Sequence, residues 1–315
     1  MDLVREIVDL VAQVPPGRVS TFVDVAQALG DAKAAPAAFR ILREREARGA
    51  HRVVRATGEI PWAGAGARLR KEGVSVSGGR VTDLGRVRFT EFEGPRTLAL
   101  LREEQARLAA QVRRTDRAGC WERVAGFDVA YDGDDAVAAA VVMDPDGARV
   151  LEALSLRVRI DFPYVPGYLA YREFPAIERC YRRLDPKPDV VLVDGHGILH
   201  PARFGIASYA GVALDTPTIG VAKHLLVGQA GPLPREPGDV ADIRLDGEVL
   251  GAGLRSGPSR RLIYVSVGHS ISLETAVRIT KRLCRTRIPE PLRLADRLAE
   301  SEKRKNQERK MKKKH

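Results

Sequence analysis

Three carboxylates, Asp128, Glu173 and Asp194, sit in segments where a bare acid is out of place. Asp128 interrupts the apolar run Val124–Tyr131, and an acid buried in such a strand needs a partner. Asp194 ends the β-branched run Val190–Val193 and is followed by Gly195, His196, Gly197, His200 and Pro201. A buried strand that delivers an acid to its carboxyl end puts it where open α/β sheets bind ligands. Glu173 follows Phe162–Arg172, a stretch dense in rings although only 5% of the chain is aromatic. Three acids drawn from separate elements to one point repel each other unless divalent cations lie between them. All-oxygen ligation suits Mg2+, or Mn2+, rather than zinc. The chemistry of such a centre is metal-assisted phosphodiester hydrolysis. Lys223, just past Ile219–Ala222, is placed to meet a phosphate, and His200 and His269 are the histidines expected as polar residues of the same site. On these residues alone other readings stay open. Asp194 can cap a helix after a tight turn, Asp128 can lie on an exposed strand face, and Lys223 can be a solvated strand end.

The ring-rich stretch has its own logic. Pro163 and Pro166 stiffen the turn around Tyr164, and a stiff loop with an aromatic tip suits a wedge between stacked bases. An ordinary surface loop anchored by its tyrosines has the same composition.

The elements that must position these residues follow from periodicity. Helical spacing predicts helices over about 2–14, 21–29 and 36–47, with a glycine-rich stretch and a short hairpin near 74–81 closing a small, mainly helical unit by residue 90. After Gly94-Pro95 come a helix over 97–112, strands over 124–131, 136–143 and 150–160, a helix over 174–184 and the buried strand 190–193. Short strands near 218–221 and 262–267, a hairpin at Asp246-Gly247 and a helix over 273–284 capped by Ser272 complete the pattern. Three strands followed by alternation predict an α/β fold with a mixed sheet and flanking helices. The expected domains are 1–90, 95–300 and a basic disordered tail, 301–315.

The chain has 315 residues and a formal charge of +11, which favours a polyanionic partner such as nucleic acid. Its three cysteines, Cys120, Cys180 and Cys284, are too scattered for a zinc site or a disulfide framework and fit a reducing, cytoplasmic setting. No apolar run approaches the length of a membrane span, so no membrane association is expected, and a monomer is the expected state.

Taken together, the segments from Pro95 to Glu300 resemble endonuclease V, the deoxyinosine-directed nuclease. The resemblance rests on Val124-Ala-Gly-Phe-Asp128, Pro163-Tyr-Val-Pro166, Tyr171-Arg-Glu173, Val193-Asp-Gly-His-Gly197 with His200-Pro201, Gly220-Val-Ala-Lys223, Gly268-His-Ser-Ile-Ser272, and Pro289-Glu-Pro291 with Leu294-Ala-Asp-Arg297. It implies a ribonuclease-H-like fold, Mg2+ on Asp128, Glu173 and Asp194, assistance from His200, Lys223 and His269, and Tyr164 (with Pro163) as the wedge at the lesion. It also implies cleavage at the second phosphodiester 3′ to deoxyinosine, leaving 3′-hydroxyl and 5′-phosphate ends.

The first 90 residues resemble the DNA-binding domain of O6-alkylguanine-DNA alkyltransferases, through Val14-Pro-Pro-Gly-Arg-Val-Ser-Thr-Phe22, Asp24-Val-Ala26, His51-Arg-Val-Val-Arg55, Arg68-Leu69 and Glu72-Gly-Val74. That family acts through a cysteine immediately before the histidine. Here Ala50 stands there, so alkyl transfer is not expected and an alkyltransferase-like, winged-helix-like lesion binder is. By this resemblance Phe22 replaces the nucleotide-rotating tyrosine, and Lys33 or Arg40 replaces the arginine that fills the base stack. The expected partner is damaged DNA containing deoxyinosine, with O6-alkylguanine a second candidate. Two other functions fit the same residues: a non-catalytic lesion sensor and an endoribonuclease acting on inosine in RNA.

Overall fold

A computed structural model describes residues 2–45, 47–117 and 119–312. The chain divides into two units, the first comprising residues 1–104 with 161–168, the second 105–160 with 169–315. The expected domains meet at residues 90–95, with the ring-rich stretch on the nuclease side. The first unit extends to Glu104 and takes in that stretch through residues 161–168, while 169–172 belong to the second unit.

The first unit is mainly helical: α1 (Leu3–Ala12), α2 (Phe22–Ala28), α3 (Ala35–Glu44), α4 (Ala65–Lys71) and α5 (Leu84–Val87), with the start of α6 (Thr97–Ala109). A two-residue parallel pair joins β1 (Ser20–Thr21) to β2 (Val53–Val54), and a tight hairpin joins β3 (Val76–Ser77) to β4 (Arg80–Val81). α2 starts where a capping box dictates. Thr21 Oγ1 accepts the Asp24 amide at 3.1 Å, and Asp24 accepts the Thr21 amide at 2.9 Å. α1 turns Leu3, Ile7, Leu10 and Val11 inward, as its spacing predicts.

The second unit is built on one nine-stranded sheet, in the order β10-β11-β12-β13-β9-β8-β5-β6-β7. Its strands are β5 (Val124–Asp132), β6 (Asp135–Met143), β7 (Val150–Arg159), β8 (Val190–Asp194), β9 (Thr218–Ala222), β10 (Gln229–Ala230), β11 (Val240–Leu245), β12 (Glu248–Leu254) and β13 (Ile263–His269). The β5-β6-β7 meander is antiparallel, whereas β8 and β9 run parallel to β5. This is the mixed sheet with flanking helices expected from the order of elements. Its helices are α7 (Leu169–Arg183), α8 (Ile206–Leu214), α9 (Leu273–Leu283) and α10 (Glu290–Lys312). One core gathers Ala125, Phe127, Val191 and Val193 with Phe174, Ile177 and Cys180 of α7. On β5 and β6, Ala130, Val137 and Val141 pack with Ala295 and Ala299 of α10.

Three elements differ from expectation in ways that matter for the site. α7 begins at Leu169 rather than 174, so Glu173 is a helix residue and not a loop residue. α8, rich in Ala and buried on most sides, lacks the polar face that marks an amphipathic helix and was not legible. The basic tail, expected to be disordered, is helical through Lys312. It continues α10, carries Lys303–Glu300 and Lys305–Glu302 pairs, and is tied to Asp132 by Gln307 and Lys310. Residues 313–315 lie outside the described residues.

Candidate active site

β5 and β8 are neighbours in parallel register, with Phe127 opposite Val193. The next position on each strand is the acid, so Asp128 and Asp194 come to the same level at the carboxyl ends of adjacent strands. Asp194 pairs in turn with Val221 of β9, and two residues further on Lys223 donates from Nζ to Asp194 Oδ2 at 2.6 Å. Glu173 descends from α7. Its Oε1 accepts the Tyr131 hydroxyl at 2.5 Å, and the Arg172 guanidinium lies 4.4 Å above the Tyr131 ring. Asp128, Glu173 and Asp194 line one cavity of about 210 Å3, walled by Phe127, Val129, Leu169, Ile177 and Val193.

The cavity is electrostatically tense. Burial, joined by the charges of Asp194 and Asp296, pushes the Asp128 carboxyl up to about 7. Burial also lifts Glu173 to about 7; Tyr131's hydrogen bond opposes this, and Asp128 and Asp194 add to it. Desolvation pulls the other way on Lys223, but its hydrogen bond to Asp194 and the charges of Asp194, Asp128 and Asp296 hold its ammonium above the usual range. Among the described residues no three His, Cys, Asp or Glu side chains form a ready-made metal cluster. Lys223 engages Asp194 and Tyr131 engages Glu173, so the acids surround the cavity without converging on one point. The donor set fits a hard divalent cation: it is all oxygen, lines one cavity, and carries mutual repulsion that such a charge relieves.

Asp296, within the Leu294–Arg297 motif, is a further acid near the cavity that the sequence alone did not single out. Its charge reaches both Asp128 and Lys223 because α10 runs close over β5. Gly126 makes that approach possible: a Cβ there would lie 2.3 Å from the carbonyl carbon of Pro291.

Both expected histidines are buried and hydrogen-bonded. His200 is buried, and its Nδ1 accepts the Ala202 amide at 3.2 Å. His269, also buried, accepts the Arg113 amide at Nδ1 (3.3 Å) and lies 3.9 Å from Asp215. Burial and the neighbouring Arg113 and Arg117 hold its ring below the usual histidine range despite Asp215.

In the first unit, Pro163, Val165 and Tyr168 are buried, whereas Tyr164 between the prolines is 54% exposed. Phe22 does not present its ring to solvent. It is 6% exposed and packs edge-on against Phe39 and Trp62, whose rings stack on each other at 5.6 Å. Lys33 is exposed on a short 3-10 turn and Arg40 is half-buried on α3. Ala50 opens another 3-10 turn, Ala50–Arg52, so no thiol stands at the acceptor position. The residues after it have structural partners. Arg52 binds Glu72 through two nitrogens at 2.7 and 2.9 Å, and His51 Nε2 is 2.9 Å from the same carboxylate.

Comparison with known proteins places both units. The endonuclease V sequence profile matches residues 106–297, more than half of the chain. The chain belongs to the endonuclease V family. It is 46% identical to endonuclease V of Roseiflexus castenholzii over 206 residues, which span 65% of this chain and 93% of that protein. The crystal structure of the catalytic domain of human endonuclease V superposes with a TM-score of 0.64 at 39% identity, covering 68% of this chain and 98% of that one. Endonuclease V of Ciona intestinalis, solved with a 24-mer DNA containing an inosine followed by a ribo-adenosine, gives a TM-score of 0.60 at 32% identity, covering 66% of this chain and 98% of that one. The DNA-binding domain of 6-O-methylguanine DNA methyltransferase matches residues 2–75. This endonuclease V therefore carries an N-terminal alkyltransferase-like DNA-binding domain. Among the described residues no helix is long and apolar enough to cross a membrane.

Proposed function

We propose that this endonuclease V hydrolyses the second phosphodiester 3′ to a deoxyinosine in DNA, with Asp128, Glu173 and Asp194 holding Mg2+ (or Mn2+). The observation that carries this reading is the shared cavity of those three acids, two of them lifted to about 7 by burial and mutual repulsion. A bound divalent cation supplies charge neutralisation at the phosphate and activation of the attacking water. The chain's own residues do the rest. Lys223 offers a cationic Nζ beside Asp194, able to turn to a non-bridging phosphate oxygen as negative charge develops there. Tyr131 orients Glu173, and Arg172 over its ring fixes that orientation. His200 and His269, buried and accepting the Ala202 and Arg113 amides, are the assisting polar residues of this reading. Tyr164, exposed between two prolines, enters the base stack at the lesion. Bound DNA is the common feature of the Ciona relative and of the domain matched at the N-terminus, which supports DNA as substrate.

The N-terminal unit, lacking an acceptor thiol at Ala50, binds damaged DNA without repairing it, O6-alkylguanine being the second lesion class after deoxyinosine. Tethering it to the nuclease raises the local concentration of the cutting site. The test is a nicking assay on an inosine-containing duplex with Mg2+, with EDTA, and with Asp194→Ala. The wild type cuts only with the metal, and the variant binds in a gel shift without cutting. Cutting by the variant overturns the assignment of the acids.

A further inference from the structure

We infer that Asp31, Tyr168 and Arg102 form a brace by which the alkyltransferase-like unit sets the position of the lesion-probing loop. The inference rests on the reading of Tyr164 as wedge. The loop lies within the matched endonuclease sequence, yet residues 161–168 are packed in the first unit. Its tip and its anchors alternate: Pro163 and Val165 are buried, Tyr164 is exposed, and the chain turns at Gly167 with φ of 89°. The turn is closed by the Tyr168 amide on the Val165 carbonyl at 3.1 Å and delivers Tyr168, only 1% exposed, to the first unit.

There its hydroxyl lies 3.0 Å from Asp31 Oδ2 and 3.2 Å from the Leu98 carbonyl, both acceptors, while Arg102 donates to the hydroxyl oxygen at 3.1 Å. Arg102 also pairs with Asp31, and its guanidinium lies over the Tyr168 ring at 5.7 Å. Asp31 has a second task. Its other oxygen, Oδ1, accepts the Lys33 amide at 3.0 Å and so caps the 3-10 turn that carries exposed Lys33. One half-buried carboxylate thus fixes both the anchor of the wedge loop and a cationic turn of the DNA-binding unit. Its seat is tight, because a Cβ on the preceding Gly30 would lie 2.5 Å from the Ala99 amide nitrogen. None of the three residues belongs to the carboxylate cavity, so they are positioning residues that act through Tyr164.

A loop held in advance lowers the cost of inserting its tip, and an error of about 1 Å in placement can cost up to about a hundredfold in rate. The test compares single-turnover nicking of inosine in duplex DNA with nicking of inosine in a single strand, where no paired stack has to be opened. Tyr168→Phe keeps the ring and removes the hydroxyl; Asp31→Asn keeps the oxygen that caps the turn and removes the charge. Each is expected to lower kcat/KM on the duplex about tenfold and on the single strand less than about twofold. In a Tyr164→Ala background Tyr168→Phe is expected to add nothing. If Tyr164→Ala lowers duplex cleavage while Tyr168→Phe and Asp31→Asn leave the duplex-to-single-strand ratio unchanged, the brace is overturned and the wedge stands. An equal loss on both substrates also overturns it. If Tyr164→Ala itself leaves the ratio unchanged, the wedge reading fails and the brace, which acts through it, fails too.

Discussion

Two clusters of ionised side chains, one in each unit, have opposite electrostatic characters. In the N-terminal unit, Glu72 accepts two bonds from Arg52 and a third contact from His51, and Arg52 leads the causes that pull its carboxyl down to about 2. In the nuclease unit, Asp128 and Glu173 are buried among other acids and pushed up to about 7. The first arrangement is what a fold builds when charge has only to hold the chain together. The second is what it tolerates when charge has to be available to something that arrives later. The N-terminal unit holds Glu72 in a paired structural clamp, whereas the nuclease unit holds acids whose charges are not balanced within the cavity.

The largest expected effect lies in catalysis. Asp128→Asn should lower nicking by about a thousandfold or more, the scale of losing one group that organises a metal or phosphate site. Glu72→Gln should leave single-turnover nicking of single-stranded inosine DNA within about twofold. Comparable losses in the two variants would erase the distinction between a strained site and a clamp.

Stability should move in the opposite sense. Glu72→Gln removes a half-buried, doubly paired carboxylate that prefers the folded state and should destabilise the N-terminal unit by about 2–3 kcal/mol. Asp128→Asn relieves repulsion and should stabilise the metal-free nuclease unit by about 1–2 kcal/mol. Hydrogen exchange of each unit's core peptides in chelator reads the two effects separately. A loss of protection in Asp128→Asn would mean that Lys223 compensates the acid better than its raised pKa implies.

The same contrast fixes the pH response. Glu72 is lowered on folding, so its contribution is present above about 4.5 and is lost as pH falls toward about 2. Asp128 and Glu173 are raised, so their contribution is complete below about 4 and is lost as pH rises through about 7. In chelator, moving from pH 7.5 to 5 should therefore protect the nuclease unit's amides and leave the N-terminal unit nearly unchanged, and further acidification should weaken the N-terminal unit. Added Mg2+ should abolish the first effect if the acids hold it.

Which of these features the sequence disclosed depends on how local their causes are. The apolar runs before Asp128 and Asp194, the Ser272 cap (its Oγ accepts the Thr275 amide at 3.2 Å) and the Asp246-Gly247 turn are set by neighbours along the chain and were legible. The place of Asp296 was not, because it depends on α10 crossing β5 at Gly126. The membership of 161–168 in the first unit was not, because it depends on the remote Tyr168–Asp31 contact. The motif around Phe22 marks it as the ring in the place of the nucleotide-rotating tyrosine, but its packing against Phe39 and Trp62 depends on residues remote in the chain and was not legible. The tail's charge suggested disorder, but Glu residues spaced three before Lys, and Asp132 on a distant strand, supply the partners its helix needs.

The smallest expected effect tests whether pairing or burial sets the scale of the clamp. Lys310 donates to Asp132 at 2.7 Å, the same distance as Arg52 to Glu72. The Lys310 side chain is 45% exposed, however, and Arg52 only 14%. Water screens the exposed pair and competes for both partners, so Lys310→Ala should destabilise the nuclease unit by less than about 0.5 kcal/mol. Its effect should show mainly as faster amide exchange over 301–312, where the helix end loses its tether to the strand. Geometry alone would make the two pairs equal. A loss from Lys310→Ala as large as that from Glu72→Gln would show that short contacts, wherever they lie, stabilise this protein. It would also remove the reason for treating the burial of Asp128 and Glu173 as the source of their strain.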